Sequence, residues 1–311
     1  MIQENNENMI KTYTNEEIIE RHLKRYISSP ESVKTRRSCF NFFFDKKYFG
    51  FQKHISEISK NNLIDYFDWL NQKKCLSLTT KQLKWRLLKS LLTFCLEYYD
   101  DFNVKIPSKT VLNWNIMHKI PQSNKDIIMN REEVKKILDF LKINHFTYYL
   151  IFRIFAETGM RKGELINIDY DKVNLKKRYI DTFGKRGRKV YYISQDLRDY
   201  LSFFIESRKL KEVETKSLFL SKFSRRNSKR PLNIYLKGIL RNLNLNEKVS
   251  CKTFRSTLNT LRFEMGCRDP ILSILLCHSV QGVNFNHYVK LNYEKYLQLF
   301  DQWNPFQKIQ I

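Results

Sequence analysis

Arg161, Lys185, Lys252, Arg255, His278 and Tyr288 place two guanidiniums, two ammonium groups, an imidazole and a phenol along the second half of a 311-residue chain. Guanidinium forks grip the oxygens of phosphates and carboxylates. A lysine or histidine can move a proton, and a phenol becomes a nucleophile once its proton is accepted or discouraged. Each also has an ordinary use: the arginines in surface ion pairs, the histidine at a helix end, the tyrosine as a half-buried packing residue. Tyr288, one of 17 tyrosines, follows His278 by ten residues in "LLCHSVQGVNFNHYVK". That stretch is a polar, Asn-rich connection, whereas packing tyrosines belong in apolar stripes, so the placement needs a reason.

The local sequence suggests how each group is held. Arg161 sits just past a helix end in "AETGMRKGEL", with Glu164 three residues on, near enough to hold its guanidinium. Lys185 lies at the tip of a predicted hairpin, "RYIDTFGKRGRKVYYIS", crowded by Arg186, Arg188 and Lys189. Lys252 and Arg255 share a helix face in "CKTFR", and His278 ends the helix that begins at Asp269-Pro270, with Asp as N-cap and Pro at the first position.

Those elements need a scaffold. Four helical patterns fill the first hundred residues: Glu16 to Ser28, "SPESVKTRRSCFNFFFDKK", "SEISKNNLIDYFDWLNQKK" and "SLTTKQLKWRLLKSLLTFCLEYYD". In the last, Leu87, Leu88, Leu91, Leu92 and Cys95 form an apolar stripe. Lys81, Arg86 and Lys89 lie away from it, on a face that suits either phosphate or plain solvation. Periodicity then fades around Pro107 and Pro121. Asn130 and Glu133 have capping-box spacing and open a helix through Leu141, and a further helix runs from about Thr147 to Thr158 and stops at Gly159. A helix from about Lys252 to Met265 turns Phe254, Leu258, Leu261 and Met265 to one side, and "NYEKYLQLF" is helical after Tyr288. The expected fold is mainly α: an N-terminal helical bundle over 1–115, a linker over 116–129, and a mixed domain over 130–311 with a small antiparallel β-sheet and a tail helix.

Composition narrows the partner. A net charge of +24 and a pI of about 9.7 call for a polyanion, nucleic acid first and an acidic membrane surface second. Joint enrichment in Lys, Asn and Ile also follows AT-rich coding, so many lysines read as solvated surface. The six cysteines show no metal-ligand spacing and read as small core residues in a reducing compartment. The N-terminus is too polar for a signal peptide and no segment is long and apolar enough to span a bilayer, so an intracellular, soluble chain is expected. Clustered carboxylates for two divalent ions and a G-x-x-x-x-G-K-[ST] loop are both missing from the sequence, which argues against a metal-dependent nuclease and an ATPase.

"AETGMRKGEL", "GKRGRK", "KTFRSTLNTLRFEMG", "LLCHS" and Tyr288, in this order, resemble the tyrosine recombinase (phage integrase) family. The likeness is strong over roughly residues 130 to 300 and weaker over the bundle, which resembles the family's core-binding domain. It implies Arg161, Lys185, Lys252, Arg255, His278 and Tyr288 as catalytic residues, Glu164 in support, and Lys81, Arg86, Lys89, Arg186 and Arg188 on DNA. Two departures stand out: Lys252 replaces the family's frequent histidine, as either general base or fixed charge, and Cys277 replaces the usual glycine before His278.

The implied reaction is attack of the Tyr288 oxygen on a DNA phosphodiester, giving a 3′-phosphotyrosyl link and a free 5′-hydroxyl without metal or cofactor. Two arginines and a histidine would meet the charge growing on the phosphoryl oxygens, and the hairpin lysine would protonate the leaving oxygen. The resemblance further implies a homotetramer on two DNA duplexes, clasped by bundle and catalytic domain, in the cytoplasm at the nucleoid or in a host cell. The alternatives are a type IB topoisomerase, with the same chemistry, and a DNA-binding regulator that has lost cleavage.

Overall fold

The computed structural model describes residues 13–27, 29–98, 127–184, 187–278 and 292–306, apart from the side chains of residues 229 and 230. The chain forms two compact units, Met1–Ser123 and Asn124–Ile311. Residues 116–126 of the expected linker lie outside the described residues.

In the first unit α1 (Asn15–Lys24) opens on a capping box between Thr14 and Glu17. It ends four residues earlier than expected, and Pro30, at the first position of α2 (Pro30–Phe44), bars a continuous helix because the residue before a proline leaves the helical region. α3 (Lys60–Gln72) and α4 (Leu78–Tyr98) complete the bundle. Its core is aromatic, with Phe43 edge-on to Tyr66 and stacked on Phe49 and Phe51.

One correction concerns the basic face of α4. Lys81 is buried, and its ammonium donates to the Asn71 carbonyl at 2.7 Å, so it does not point at solvent or phosphate. A lysine stem covers apolar surface readily, and a carbonyl at a helix end satisfies its head. Lys84 is buried too, its Nζ 3.2 Å from the centre of the Phe42 ring, and burial lowers its pKa. Arg86 is exposed, and Lys89 is half-buried with its pKa also lowered by burial.

The second unit is built around α6 (Phe146–Thr158), buried from Tyr149 to Thr158 and flanked by α5 (Arg131–Asn144), whose capping box joins Asn130 and Glu133. α7 (Lys162–Ile166) leads to a three-stranded antiparallel sheet of β1 (Val173–Asn174), β2 (Tyr179–Gly184) and β3 (Gly187–Tyr192) in that order. The pair β2–β3 is the expected hairpin, with Gly184 opposite Gly187. β1 escapes a reading by alternation because two residues have no period.

α8 (Gln195–Lys209), α9 (Lys229–Asn242), α10 (Cys251–Glu264), α11 (Asp269–Leu275) and α12 (Tyr293–Gln302) follow. Three details differ from expectation. Met265 is exposed because α10 ends one residue before it; Arg268, not Asp269, caps α11, its carbonyl accepting from Ile271 and Leu272; and Cys75 is exposed, in a turn between helices.

α12 packs on its own unit. Arg178 holds Asp301 with two bonds of 2.5 and 3.1 Å, and Tyr296 stacks on Tyr192. Two buried arginines tie the residues after it: Arg153 donates to the Phe306 carbonyl and Arg262 to that of Trp303. Arg153 is paired with Glu157, while burial lowers the pKa of Arg262 to about 10. No described helix is long and apolar enough to cross a membrane.

Candidate active site

The site forms where the end of α6, the start of α7, the first turns of α10 and the end of α11 meet. Gly159 closes α6 in the left-handed region at φ +61°, and its carbonyl accepts from Arg255 Nη1 at 2.6 Å. A Cβ there would lie 2.9 Å from Leu276 Cδ2 and 3.2 Å from Leu258 Cδ2, so glycine alone satisfies both the backbone angle and the packing.

Two residues later Arg161 caps α7. Its backbone N–H donates to Glu164 Oε2 at 2.7 Å and its Nη1 to Oε1 at 3.2 Å. Glu164 is almost fully buried, yet the Arg161 side chain remains 54% exposed, so the carboxylate holds one nitrogen of the fork and leaves the rest of the guanidinium accessible to a ligand. Tyr191, buried on β3, donates its hydroxyl to Glu164 Oε2 at 2.8 Å, and Thr182 on β2 donates to the Glu164 carbonyl at 2.7 Å.

Arg255 also donates to the Leu276 carbonyl at 2.9 Å and to His278 Nε2 at 2.6 Å. Arg161 Nη2 reaches the same nitrogen at 3.5 Å. Residues separated by 117 positions in the chain therefore converge on one atom. A guanidinium only donates, so in these contacts Nε2 can serve only as the acceptor, which suits a neutral ring with its N–H at Nδ1. Two positive forks and a dipolar ring facing one point form an anion cradle.

His278 owes its position to Cys277, which adopts φ +52°, a value normally left to glycine. Here the thiol donates to the Val190 carbonyl and the Lys189 ammonium to the Cys277 carbonyl, both from β3. Burial pushes the Cys277 thiol pKa up to about 11. The glycine that the resemblance leads one to expect at this position is a signal that could have marked the turn; nothing in the sequence around Tyr191 marked its bond to Glu164.

Of the remaining sequence candidates, Lys252 is exposed on the first turn of α10, one turn from Arg255. Arg188 is engaged by Asp181 across the hairpin at 2.9 and 3.0 Å. Lys185, Arg186 and Tyr288 lie outside the described residues.

Comparison with known proteins gives the following. Residues 128–295, just over half of the chain, match the model of the Phage integrase family. Tyrosine recombinase XerD of Staphylococcus haemolyticus is 26% identical over 185 residues, covering 57% of this chain and 62% of the relative. XerD of Staphylococcus epidermidis is 24% identical with the same coverage. The chain thus spans less than two thirds of these curated relatives. Among solved structures, XerH site-specific recombinase bound to a palindromic difH substrate superposes with a TM-score of 0.63 at 18% identity, over 92% of this chain and 83% of that one. The Tn1549 transposon integrase in complex with transposon right end DNA gives 0.63 at 14% identity, over 89% and 96%. At these identities the likeness establishes the fold: a tyrosine recombinase catalytic fold, mainly helical with one small sheet.

Proposed function

The chain belongs to the phage integrase family, and from that membership we propose that it is a site-specific DNA recombinase that breaks and rejoins strands through a 3′-phosphotyrosyl link on Tyr288. The observation that carries this reading is the convergence of Arg161 and Arg255 on His278 Nε2. A scissile phosphate fits there because its non-bridging oxygens accept what the arginines donate, and His278 can then turn from acceptor to donor.

The roles follow from residue chemistry. Arg161 and Arg255 bind the two non-bridging oxygens and stabilise the charge that grows on them as the phosphorus becomes five-coordinate. Tyr288 supplies the attacking oxygen; cations at the site would lower its phenolic pKa, and the proton would pass to Lys252 where that amine acts as base, otherwise to water. The P–O bond to the 5′-oxygen breaks, and Lys185 gives that oxygen a proton. Lys252, exposed beside Arg255, acts as general base or as fixed charge. Glu164 keeps Arg161 in place. The link to tyrosine retains the phosphodiester's energy, so a second strand's 5′-hydroxyl reverses the step. Arg86, Lys89, Arg186 and Arg188 are proposed phosphate contacts, and the working assembly is a homotetramer on two duplexes.

The test is a set of nicked suicide duplexes spanning the host element's own DNA, on which loss of a short fragment traps any covalent adduct. Wild type is expected to form an adduct at discrete sites, and Tyr288→Phe to form none. Absence of adduct on every duplex despite tight binding points instead to a DNA-binding regulator. Rapid relaxation by monomer of a supercoiled plasmid lacking those sites points to a topoisomerase.

A further inference from the structure

β3 touches the cradle on both sides. Lys189 and Tyr191 are two positions apart, so they share a face of the strand. On that face Tyr191 reaches Glu164, the residue that fixes Arg161, while Lys189 reaches the carbonyl of Cys277, the residue that aims His278. The same face of β2 carries Thr182, opposite Lys189 in register and bonded to the Glu164 carbonyl, and Gly184, where a Cβ would lie 2.6 Å from Glu164 Oε1. Among the described residues, the bonds local to the Cys277 turn at φ +52° are the helix-end ones from Cys277 to Ile274 and from His278 to Ser273. Its other fastenings come from Arg255, at Leu276, and from β3, which takes the thiol and supplies the ammonium.

We infer that Lys189 and Tyr191 are positioning residues that set the separation of the two halves of the anion cradle, Tyr191 acting on Arg161 through Glu164 and Lys189 acting on His278 through the Cys277 carbonyl. The inference rests on the recombinase reading only for its consequence in catalysis; the geometry it asserts holds without DNA. Neither side chain touches the reacting phosphate. Without Lys189 the left-handed turn loses its charged tie, and His278 samples positions away from Arg255. Without the Tyr191 hydroxyl, Glu164 keeps Arg161 but its carboxylate loses its tether to the sheet, and Thr182 holds only the Glu164 backbone.

Two measurements test this. In the full chain without DNA, the imidazole Cε1–Hε1 resonance of His278 shifts or broadens in Lys189→Met, and the Nε–Hε resonance of Arg161 does so in Tyr191→Phe. Unchanged resonances in both overturn the inference whether or not the chain cuts DNA. On a suicide duplex that wild type cleaves, each variant slows adduct formation about 10-fold while DNA affinity changes less than about 2-fold, because a misplaced cradle weakens the transition state more than the ground state.

A methylphosphonate at the scissile position discriminates further. With one charged oxygen gone there is less for the cradle to stabilise, so the loss shrinks to about 2-fold, whereas general damage to the fold costs both linkages alike. Lys189→Arg, which keeps a donor, stays within about 3-fold of wild type. Equal losses on both linkages, or no loss in either variant, end the proposal. Should Lys189→Met fail to fold, Tyr191→Phe and Lys189→Arg decide it. A wild-type chain that forms no adduct refutes the recombinase reading and leaves the resonance test to judge this one.

Discussion

Two glycines pack against residues of the cradle, for different reasons. Gly159 is needed for its backbone angle and for its packing, so Gly159→Ala costs stability, about 2–4 kcal/mol, from a left-handed alanine and a crowded core. It also pushes on Leu276, next to the turn that carries His278. Gly184 has no left-handed backbone angle; the nearest atoms its methyl would meet, Oε1 at 2.6 Å first, all belong to the Glu164 side chain. Gly184→Ala is therefore expected to lower the melting temperature little while slowing adduct formation roughly 10-fold, since Arg161 moves with its anchor. A melting curve and a single-turnover assay on both variants separate the cases, and a Gly184→Ala enzyme of full activity would show that Glu164 can shift without cost. Arg161, Arg255 and His278 were singled out in the sequence by the order of the motifs around them, "AETGMRKGEL", "KTFR" and "LLCHS", none of them specific alone. Lys189 and Tyr191 were not, because their partners lie 88 and 27 residues away and nothing local marks the pairing.

At the scale of elements, periodicity found the helices but not their neighbours. The stripe on α4 was readable, yet an angle on a helical wheel does not say that the end of α3 lies over Lys81. Buried polar groups were the least visible, His22 among them. It sits on α1, fully buried against Phe40 and Phe94, with Arg36 Nη1 3.5 Å from its Nε2. Burial first, then the charges of Arg36 and Arg25, lower its pKa to about 4 from an ordinary 6.5. The sign follows from linkage. Above pH 6.5 the ring is neutral folded or unfolded; below it the unfolded chain takes a proton that the folded bundle refuses until about pH 4. Stability is thus lost between those values, by about 3 kcal/mol from this one group. His22→Leu removes that part of the slope. Urea midpoints of both proteins at several pH values check it: their difference must change steadily between pH 6.5 and 4 and hold constant above.

The whole molecule adds a field to these local devices. A charge of +24 exceeds what a two-arginine cradle needs, and arginine tends to be held by carboxylates within the fold, as in Arg37 with Glu16, Arg178 with Asp301 and Arg226 with Asp169. On the proposed DNA substrate the surplus would act as a polyelectrolyte: each phosphate it neutralised would release counterions, so affinity for any duplex is expected to fall steeply with salt. With about six phosphates engaged, binding to a duplex lacking a cleavage site should weaken about 10³-fold between 50 and 200 mM salt. The Tyr288→Phe variant should show the same slope, because a neutral phenol displaces no counterion. Preference for a cleavable site over a site-free duplex should vary far less across that range, since the same phosphates are gripped in both and only base contacts and deformation differ. Fluorescence anisotropy on the two duplexes at several salt concentrations measures all three quantities. A drop below 10-fold would mean that most of the surplus charge never meets the backbone, and would leave the phosphate contacts assigned to Arg86, Lys89 and the hairpin without their electrostatic basis.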